Sequence, residues 1–244
     1  MSNFGGNMKT NEREQKILEI LRERQFASVS FLATNLYTSP SSIRRSLTRM
    51  QNAGLVRRNY GGVILSDNEK KTATPDVRIE QQKSQKKAVA QKAAALLRPG
   101  MTVFLDSSTT CAYMVEHIAQ ISDITVFTNN LRTAAKLVES SVDTYCIGGH
   151  CEKNAALTVG RYAEGMIREL CADIFFFSSQ AISKSGVITD CSAEETAIRK
   201  AMFENAKKRV FLCDSSKFDH TSVHRLCNIK DVDEYFFDKD FEIN

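Results

Sequence analysis

The chain is short of several things, and each shortage removes a class of protein. No apolar run approaches the roughly 18 residues that a membrane span needs, so a transmembrane protein is not expected. Residues 1–10 are polar and hold no apolar leader segment, so secretion is not expected either and the protein is read as cytoplasmic. With 3 prolines and 11 glycines in 244 residues, collagen-like and linker-dominated architectures are excluded. The 7 cysteines are an odd number and none forms a C-x-x-C pair. Reduced thiols serving as small core hydrophobes explain them better than disulfides or zinc, and neither a metal nor a cofactor is expected.

The most informative absence is local. Between Gln25 and Ser66 there is no Asp or Glu, while Arg44, Arg45, Arg49, Arg57 and Arg58 all fall there. The net charge of +4 therefore divides unevenly: 10 basic against 4 acidic residues over 1–66, and 23 against 25 over the remainder. A small basic unit followed by a larger, slightly acidic one is what a nucleic-acid reader joined to another module would show.

Within the basic unit, Asn11 and Glu14 suggest a helix cap before an apolar stripe of Ile17, Leu18, Ile20 and Leu21. A second short helix fits residues 28–36. Ser39-Pro40 then reads as a cap followed by proline at the first helical position. On a wheel of about 100° per residue, Ile43, Leu47 and Met50 of the third helix share one face. Ser41, Arg45, Thr48 and Asn52 lie opposite, with Arg44 and Arg49 on the flanks. Hydroxyl, amide and guanidinium groups without a carboxylate suit a groove lined by phosphates. Residues 55–65 read as a hairpin with a basic, glycine-containing tip, which makes the unit a winged helix-turn-helix.

The run Ser39-Pro-Ser-Ser-Ile-Arg-Arg-Ser-Leu, followed by Gly54-Leu-Val-Arg-Arg-Asn-Tyr-Gly-Gly, resembles the DNA-binding domain of DeoR-type bacterial transcriptional regulators. Ser46 stands where that family usually has Asp, Tyr60 where it has His, and Tyr37 where a turn glycine is common. The residues expected at DNA are Ser39, Ser41, Ser42, Arg44, Arg45, Thr48 and Arg49 of the helix, with Arg57, Arg58 and Tyr60 of the wing.

The domain organisation expected is a winged helix-turn-helix over 1–66, an exposed polar linker over 67–82 and an α/β domain over 83–244. In the last, apolar runs at 101–105, 125–128, 144–147, 174–177 and 210–214 alternate with helical patterns at 85–97, 111–119, 131–138, 162–170 and 194–206. That alternation predicts a Rossmann-like parallel sheet covered by helices. Ligands bind at the carboxyl ends of such strands. Here those ends carry Asp106, Ser107, Ser108, Thr109 and Thr110, then Thr128, Asn129 and Asn130, then Gly148 and Gly149, and later Asp214 and Lys217. Together they describe a site for a small polar ligand bearing a phosphate.

Arg78, Lys86, Gly160 and these same segments match, in order and spacing, the sensor half of the DeoR type, which is similar to ribose-5-phosphate isomerase. The resemblance implies a phosphorylated sugar as effector, with residues 106–110 at the phosphate and Asn129, Asp214 or Lys217 near the sugar hydroxyls. The family's basic position before Ala201-Met202 corresponds to Arg199 or Lys200, and Lys200 is assigned to the site. Where the family carries a glycine-rich loop, this chain has Ser178-Ser-Gln-Ala-Ile-Ser183.

The function expected is therefore that of a sequence-specific DNA-binding regulator, a repressor of sugar-catabolism genes, a homo-oligomer on double-stranded operator DNA whose binding is modulated by a phosphorylated sugar. Two alternatives stand beside it. The altered 178–183 loop fits a regulator whose sensor has lost its ligand and only oligomerises. The available carboxylates (Asp106, Asp190, Glu194, Glu195 and Asp214) leave room for a sugar-phosphate isomerase, although an enzyme has no need of an acid-free, arginine-rich leader and no catalytic residue is assigned.

Overall fold

The computed structural model describes residues 10–24, 26–53, 55–59, 62–65, 75–153 and 155–244; for residues 10, 11, 22, 23, 57, 59 and 75–77 it describes the backbone alone. Two compact units divide the chain, Met1–Ala73 and Thr74–Asn244.

The first unit runs α1 (Thr10–Arg24), β1 (Phe26–Ala27), α2 (Val29–Asn35), α3 (Pro40–Asn52), β2 (Val56–Asn59) and β3 (Gly62–Leu65). Its helices start where local chemistry supplies acceptors for free amides. Ser28 Oγ accepts from Phe31 N at 3.1 Å, and Ser39 Oγ accepts from Ser42 N at 3.2 Å with Pro40 just behind it. The cap expected at Asn11 is corrected: α1 already includes Thr10, so Asn11 lies inside the helix. Ile17, Leu21, Leu32, Leu36, Ile43, Leu47, Met50, Val56 and Val63 close a small core. Truncating one of them, as in Leu47→Ala, would cost about 2–5 kcal/mol.

The wing has a third strand that the sequence did not announce, in the order β1-β3-β2. Its register pairs Ala27 with Val63 and Asn59 with Gly62. Close approach explains Gly62, because a Cβ there would meet the Ala27 carbonyl oxygen at 2.5 Å. At the turn into α3, Tyr37 takes a φ of 48°, the left-handed conformation that glycine adopts at less cost.

The second unit opens with α4 (Pro75–Glu80) and α5 (Lys83–Ala94). It continues with β4 (Thr102–Leu105), α6 (Val115–Ile118), β5 (Thr125–Thr128), α7 (Leu131–Leu137) and β6 (Asp143–Cys146). A hairpin of β7 (His150–Cys151) and β8 (Thr158–Val159) leads to α8 (Arg161–Arg168) and β9 (Ala172–Phe177). Then follow β10 (Ala181–Ile182), β11 (Val187–Asp190), α9 (Ala193–Glu204), β12 (Ala206–Cys213), β13 (His224–Asn228) and β14 (Glu234–Phe237).

The main sheet has six strands in the order β14-β12-β9-β4-β5-β6, every neighbouring pair parallel. Phe104, Phe175, Phe177 and Phe211 lie on one face, with Ile167, Ile198 and Met202 of α8 and α9 packed over them. Val103, Leu105, Ile174, Phe176, Val210 and Leu212 lie on the other, with Val89, Ala90 and Ala93 of α5. Burial on both faces is why these strands read as unbroken apolar runs instead of alternating. An antiparallel sheet, β10-β11-β13, stands beside it.

Three expectations are corrected. Residues 75–82, read as linker, are folded into the second unit: α4 is helical and Ile79 packs on its core. The helix expected over 111–119 is a 3-10 turn, Cys111–Met114, followed by only four α-helical residues. Cysteine as a core hydrophobe holds for Cys111, Cys213 and Cys227, whereas Cys146, Cys151 and Cys171 are exposed. Burial pushes the Cys213 and Cys227 thiols up to about 12.

Candidate DNA-reading face and anion site

On α3 of the first unit, Ser39, Ser41, Arg44, Arg45 and Thr48 are exposed together, and Ser42 is half-buried. The cap hydroxyls form a small cluster, Ser39 Oγ lying 2.9 Å from Ser41 Oγ and 3.0 Å from Ser42 Oγ. Arg49 departs from expectation. Its Nε donates to Glu14 Oε1 at 2.9 Å and its Nη2 to Ser46 Oγ at 3.2 Å, so its guanidinium is taken up by α1 and by its own helix. Arg58 reaches back from the wing: its Nη2 donates to the Arg44 carbonyl at 3.0 Å and to Thr48 Oγ1 at 2.8 Å, bracing β2 against α3. The side chain of Arg57, and Tyr60 altogether, lie outside the described residues.

In the second unit, parallel pairing brings the ends of β4, β5, β9 and β12 to one edge. Asp106 follows β4 and is 1% exposed. Both of its carboxylate oxygens are engaged: Oδ1 accepts from Ser108 N at 2.9 Å, and Oδ2 accepts from Ser178 N at 3.2 Å and Arg199 Nε at 2.7 Å. Asp106 therefore shapes the loop, and holding a phosphate is not its task. Arg199 also donates through Nη1 to Asp190 Oδ2 and through Nη2 to Glu195 Oε2, each at 3.0 Å. Burial alone would drain its charge, yet Asp190, Asp106 and Glu195 hold it well above its ordinary pKa. Lys200, assigned from sequence, is exposed, whereas its neighbour Arg199 is buried against these carboxylates. One residue along a helix turns a side chain by about 100°, which separates the two.

The positive charge facing the 106–110 loop comes from elsewhere. Lys86, on the buried face of α5, is 4% exposed; its Nζ donates to Thr109 Oγ1 at 3.1 Å and to the Arg78 carbonyl. Burial first, then the nearby charge of Lys217, lowers its pKa to about 8, with Arg78 adding to the fall and Asp214 opposing it. Lys217 Nζ donates to Ser178 Oγ at 2.8 Å and to Thr110 Oγ1 at 3.2 Å, with Asp214 Oδ2 at 3.8 Å. Three buried polar atoms here make no hydrogen bond: Arg78 Nε, Asn129 Oδ1 and Asp214 Oδ2. Groups of this kind normally find partners. At Thr109 a cavity of about 330 Å³ opens, lined also by Ile79, Glu80, Ser107, Asn130, Arg132 and Lys136.

The remaining predicted residues mostly support this edge. Asn130 caps α7 by accepting from Arg132 N and Thr133 N, while its Nδ2 donates to the Ser107 carbonyl at 3.0 Å. Thr128 Oγ1 accepts from Asn130 N at 3.1 Å, and Asn129 Nδ2 donates to the Thr158 carbonyl at 2.9 Å. Ser108 Oγ accepts from Cys111 N at 3.1 Å, closing the loop. Gly148 is exposed and Gly149 packs on Val159 and Ala163, so this pair serves the β7–β8 corner. Arg78 and Lys86 had matched the family spacing but were not assigned to the site. Lys86 carried a signal of its own, a lysine in register with Val89 and Ala93 on the apolar stripe of α5. Among the described residues, no group of three or more His, Cys, Asp or Glu could hold a metal ion, and no helix is long and apolar enough to cross a membrane.

Two family models match the chain: a DeoR-like helix-turn-helix domain over residues 13–69 and a DeoR C terminal sensor domain over residues 81–239. Similar proteins include an L-fucose operon activator of Haemophilus influenzae, 29% identical over 96% of this chain and 94% of that protein. A glycerol-3-phosphate regulon repressor of the same organism is 28% identical over 96% and 91% respectively. Among solved structures, eIF2B delta of Chaetomium thermophilum is 12% identical over 97% of this chain and 74% of that one, with a TM-score of 0.50, a likeness of fold alone. Ribose 5-phosphate isomerase A of Methanocaldococcus jannaschii covers 57% of this chain and 55% of its own, at 16% identity and a TM-score of 0.43.

Proposed function

Since the chain belongs to the DeoR family, we propose that it is a DNA-binding transcriptional regulator of sugar-catabolism genes, a repressor whose hold on its operator is released by a phosphorylated sugar. The first unit reads double-stranded DNA through the outward face of α3. Arg44 and Arg45 make no side-chain hydrogen bond or ion pair among the described residues, which leaves their guanidinium groups available to base edges and phosphates. Ser39, Ser41, Ser42 and Thr48 contact the backbone. Arg58 and Arg49 hold the helix at its working angle. The protein acts as a homodimer or tetramer, because paired half-sites multiply affinity and set spacing.

In the second unit the phosphate sits against Thr109 and Thr110, held by Lys86, Lys217 and Arg78. The convergence of Lys86 and Lys217 on two neighbouring threonine hydroxyls, with the charge of Arg78 close to Lys86 and Arg78 Nε buried without a hydrogen bond, is the observation that carries this reading. Charge-assisted hydrogen bonds to a phosphate would satisfy groups that the protein leaves bare. Asn129 Oδ1 and Asp214 Oδ2, both acceptors without a hydrogen bond, suit the hydroxyls of a sugar.

The test is fluorescence anisotropy of the full chain on DNA from upstream of its own gene, with and without a panel of sugar phosphates. Release by one member supports both halves and identifies the effector class. Tight, salt-sensitive binding that no compound alters removes the sensor half. Absence of binding to every upstream fragment removes the DNA half.

A further inference from the structure

The first helix of the second unit is held in place by two side chains that donate to its carbonyls. A six-residue helix such as α4 leaves its last carbonyls without partners of its own. The Arg78 carbonyl accepts from Lys86 Nζ, and the Ile79 carbonyl accepts from the Tyr113 hydroxyl at 2.6 Å. Beyond these bonds, Ile79 packs on the core around α5 and β4. Lys86 serves two masters, since it also donates to Thr109 in the anion site. Arg78 contributes to that site from α4 itself, with its Nε buried and without a hydrogen bond.

Three cations share this corner, with Asp214 opposing them and Glu80 of α4 lining the adjoining cavity. An anion would relieve their repulsion and give Arg78 Nε an acceptor. An ammonium has three donors, so a fully charged Lys86 can serve Thr109, the Arg78 carbonyl and the anion together. Each of these effects favours the seated position of α4. In sequence, α4 comes directly after the residues that join the two units. On the strength of the anion site proposed above, we infer that α4 is the element through which a bound phosphate acts on DNA binding, the anion seating α4 on the second unit and Tyr113 positioning it to be seated. A ligand shifts a regulator only through differential affinity for its states, so the inference requires the anion to bind more tightly when α4 is seated than when it is not.

The experiment uses the full chain, with inorganic phosphate as the probe. Hydrogen exchange at residues 78–80 should slow about fivefold or more when phosphate binds, with α8 unaffected. Tyr113→Phe keeps the ring in the core and removes only the hydroxyl. At saturating phosphate that variant should lose most of the slowing, and by linkage it should bind phosphate more weakly than the wild type, because Arg78 reaches the anion from α4. The ratio of DNA affinities with and without saturating phosphate should fall towards one in the same variant, a response that loss of stability alone would not give. Phosphate binding that leaves exchange in α4 unchanged overturns the inference. So does a wild-type DNA affinity indifferent to phosphate, or a Tyr113→Phe protein that keeps the full response. If phosphate does not bind at all, the anion site itself falls and the inference with it, which keeps the two failures apart.

Discussion

The two units handle positive charge in opposite ways. On α3, Arg44 and Arg45 stand in solvent, unpaired within the described chain. In the second unit, Lys86, Lys217 and Arg199 lie among β-strand ends, each engaged by named hydroxyls, carbonyls or carboxylates. Exposed guanidinium groups act over about a Debye length and are weakened by salt. Buried ones act at hydrogen-bond range and are selective, because each needs its partner in place. The first arrangement fits a long polyanion, the second a single small anion. The same charge thus does different work according to what surrounds it.

The sharpest way to break the comparison is to remove one arginine from each region. Arg199→Met leaves Asp106, Asp190 and Glu195 without their shared cation. Chemical denaturation should show the second unit destabilised by about 3–5 kcal/mol. Arg45→Met should stay within about 0.5 kcal/mol of the wild type in stability. On DNA position 45 should matter more: Arg45→Ala should cost roughly 1–3 kcal/mol of specific binding. If sequence preference is unchanged in that variant, base readout lies elsewhere.

A smaller effect separates the regions by pH. Lys86 titrates near 8, with Arg78, Lys217 and Asp214 facing it. It is charged below that value and neutral above it. A phosphate monoester, with its second pKa near 6, is already dianionic there. Affinity for a phosphate monoester should therefore be highest near pH 7, between the second pKa of the phosphate and that of Lys86, and fall by up to about tenfold per unit as pH rises through about 8. Affinity for DNA measured without effector should stay nearly flat over the same interval. Isothermal titration at several pH values checks the first statement, and anisotropy the second. The smallest effect is expected at Arg49. Its ion pair with Glu14 is partly exposed, so Arg49→Ala should cost about 1 kcal/mol of stability or less.

What could be read from sequence followed the strength of local signals. Helix α3 announced itself through Ser39-Pro40, a clean apolar face and an acid-free surface. The strands of the parallel sheet were visible because burial on both faces makes their residues uniformly apolar. Strands β7, β8 and β10 have two residues each and no period to detect. Helix α4 looked like linker because it is short and polar, and its stability comes from Lys86 and Tyr113, far along the chain. Choosing Lys200 over Arg199 had a similar cause. The buried stripe of α9 includes Ile198 and Met202, which puts position 199 inward, but a charged residue in an apolar stripe makes sense only once its carboxylate partners are known. Asp106 was found as a site residue and its task was not, because the sequence does not show that both its oxygens are already engaged.

The most direct measurement titrates the DNA-bound full chain with the panel of sugar phosphates, comparing the wild type with Lys86→Met. Methionine keeps the volume on the buried stripe of α5 and removes the ammonium that touches Thr109. One sugar phosphate should release the wild type from a proposed phosphate site that includes Lys86, while Lys86→Met should hold DNA with equal affinity and not be released at the same concentration. Release of both proteins at the same concentration would contradict that proposal.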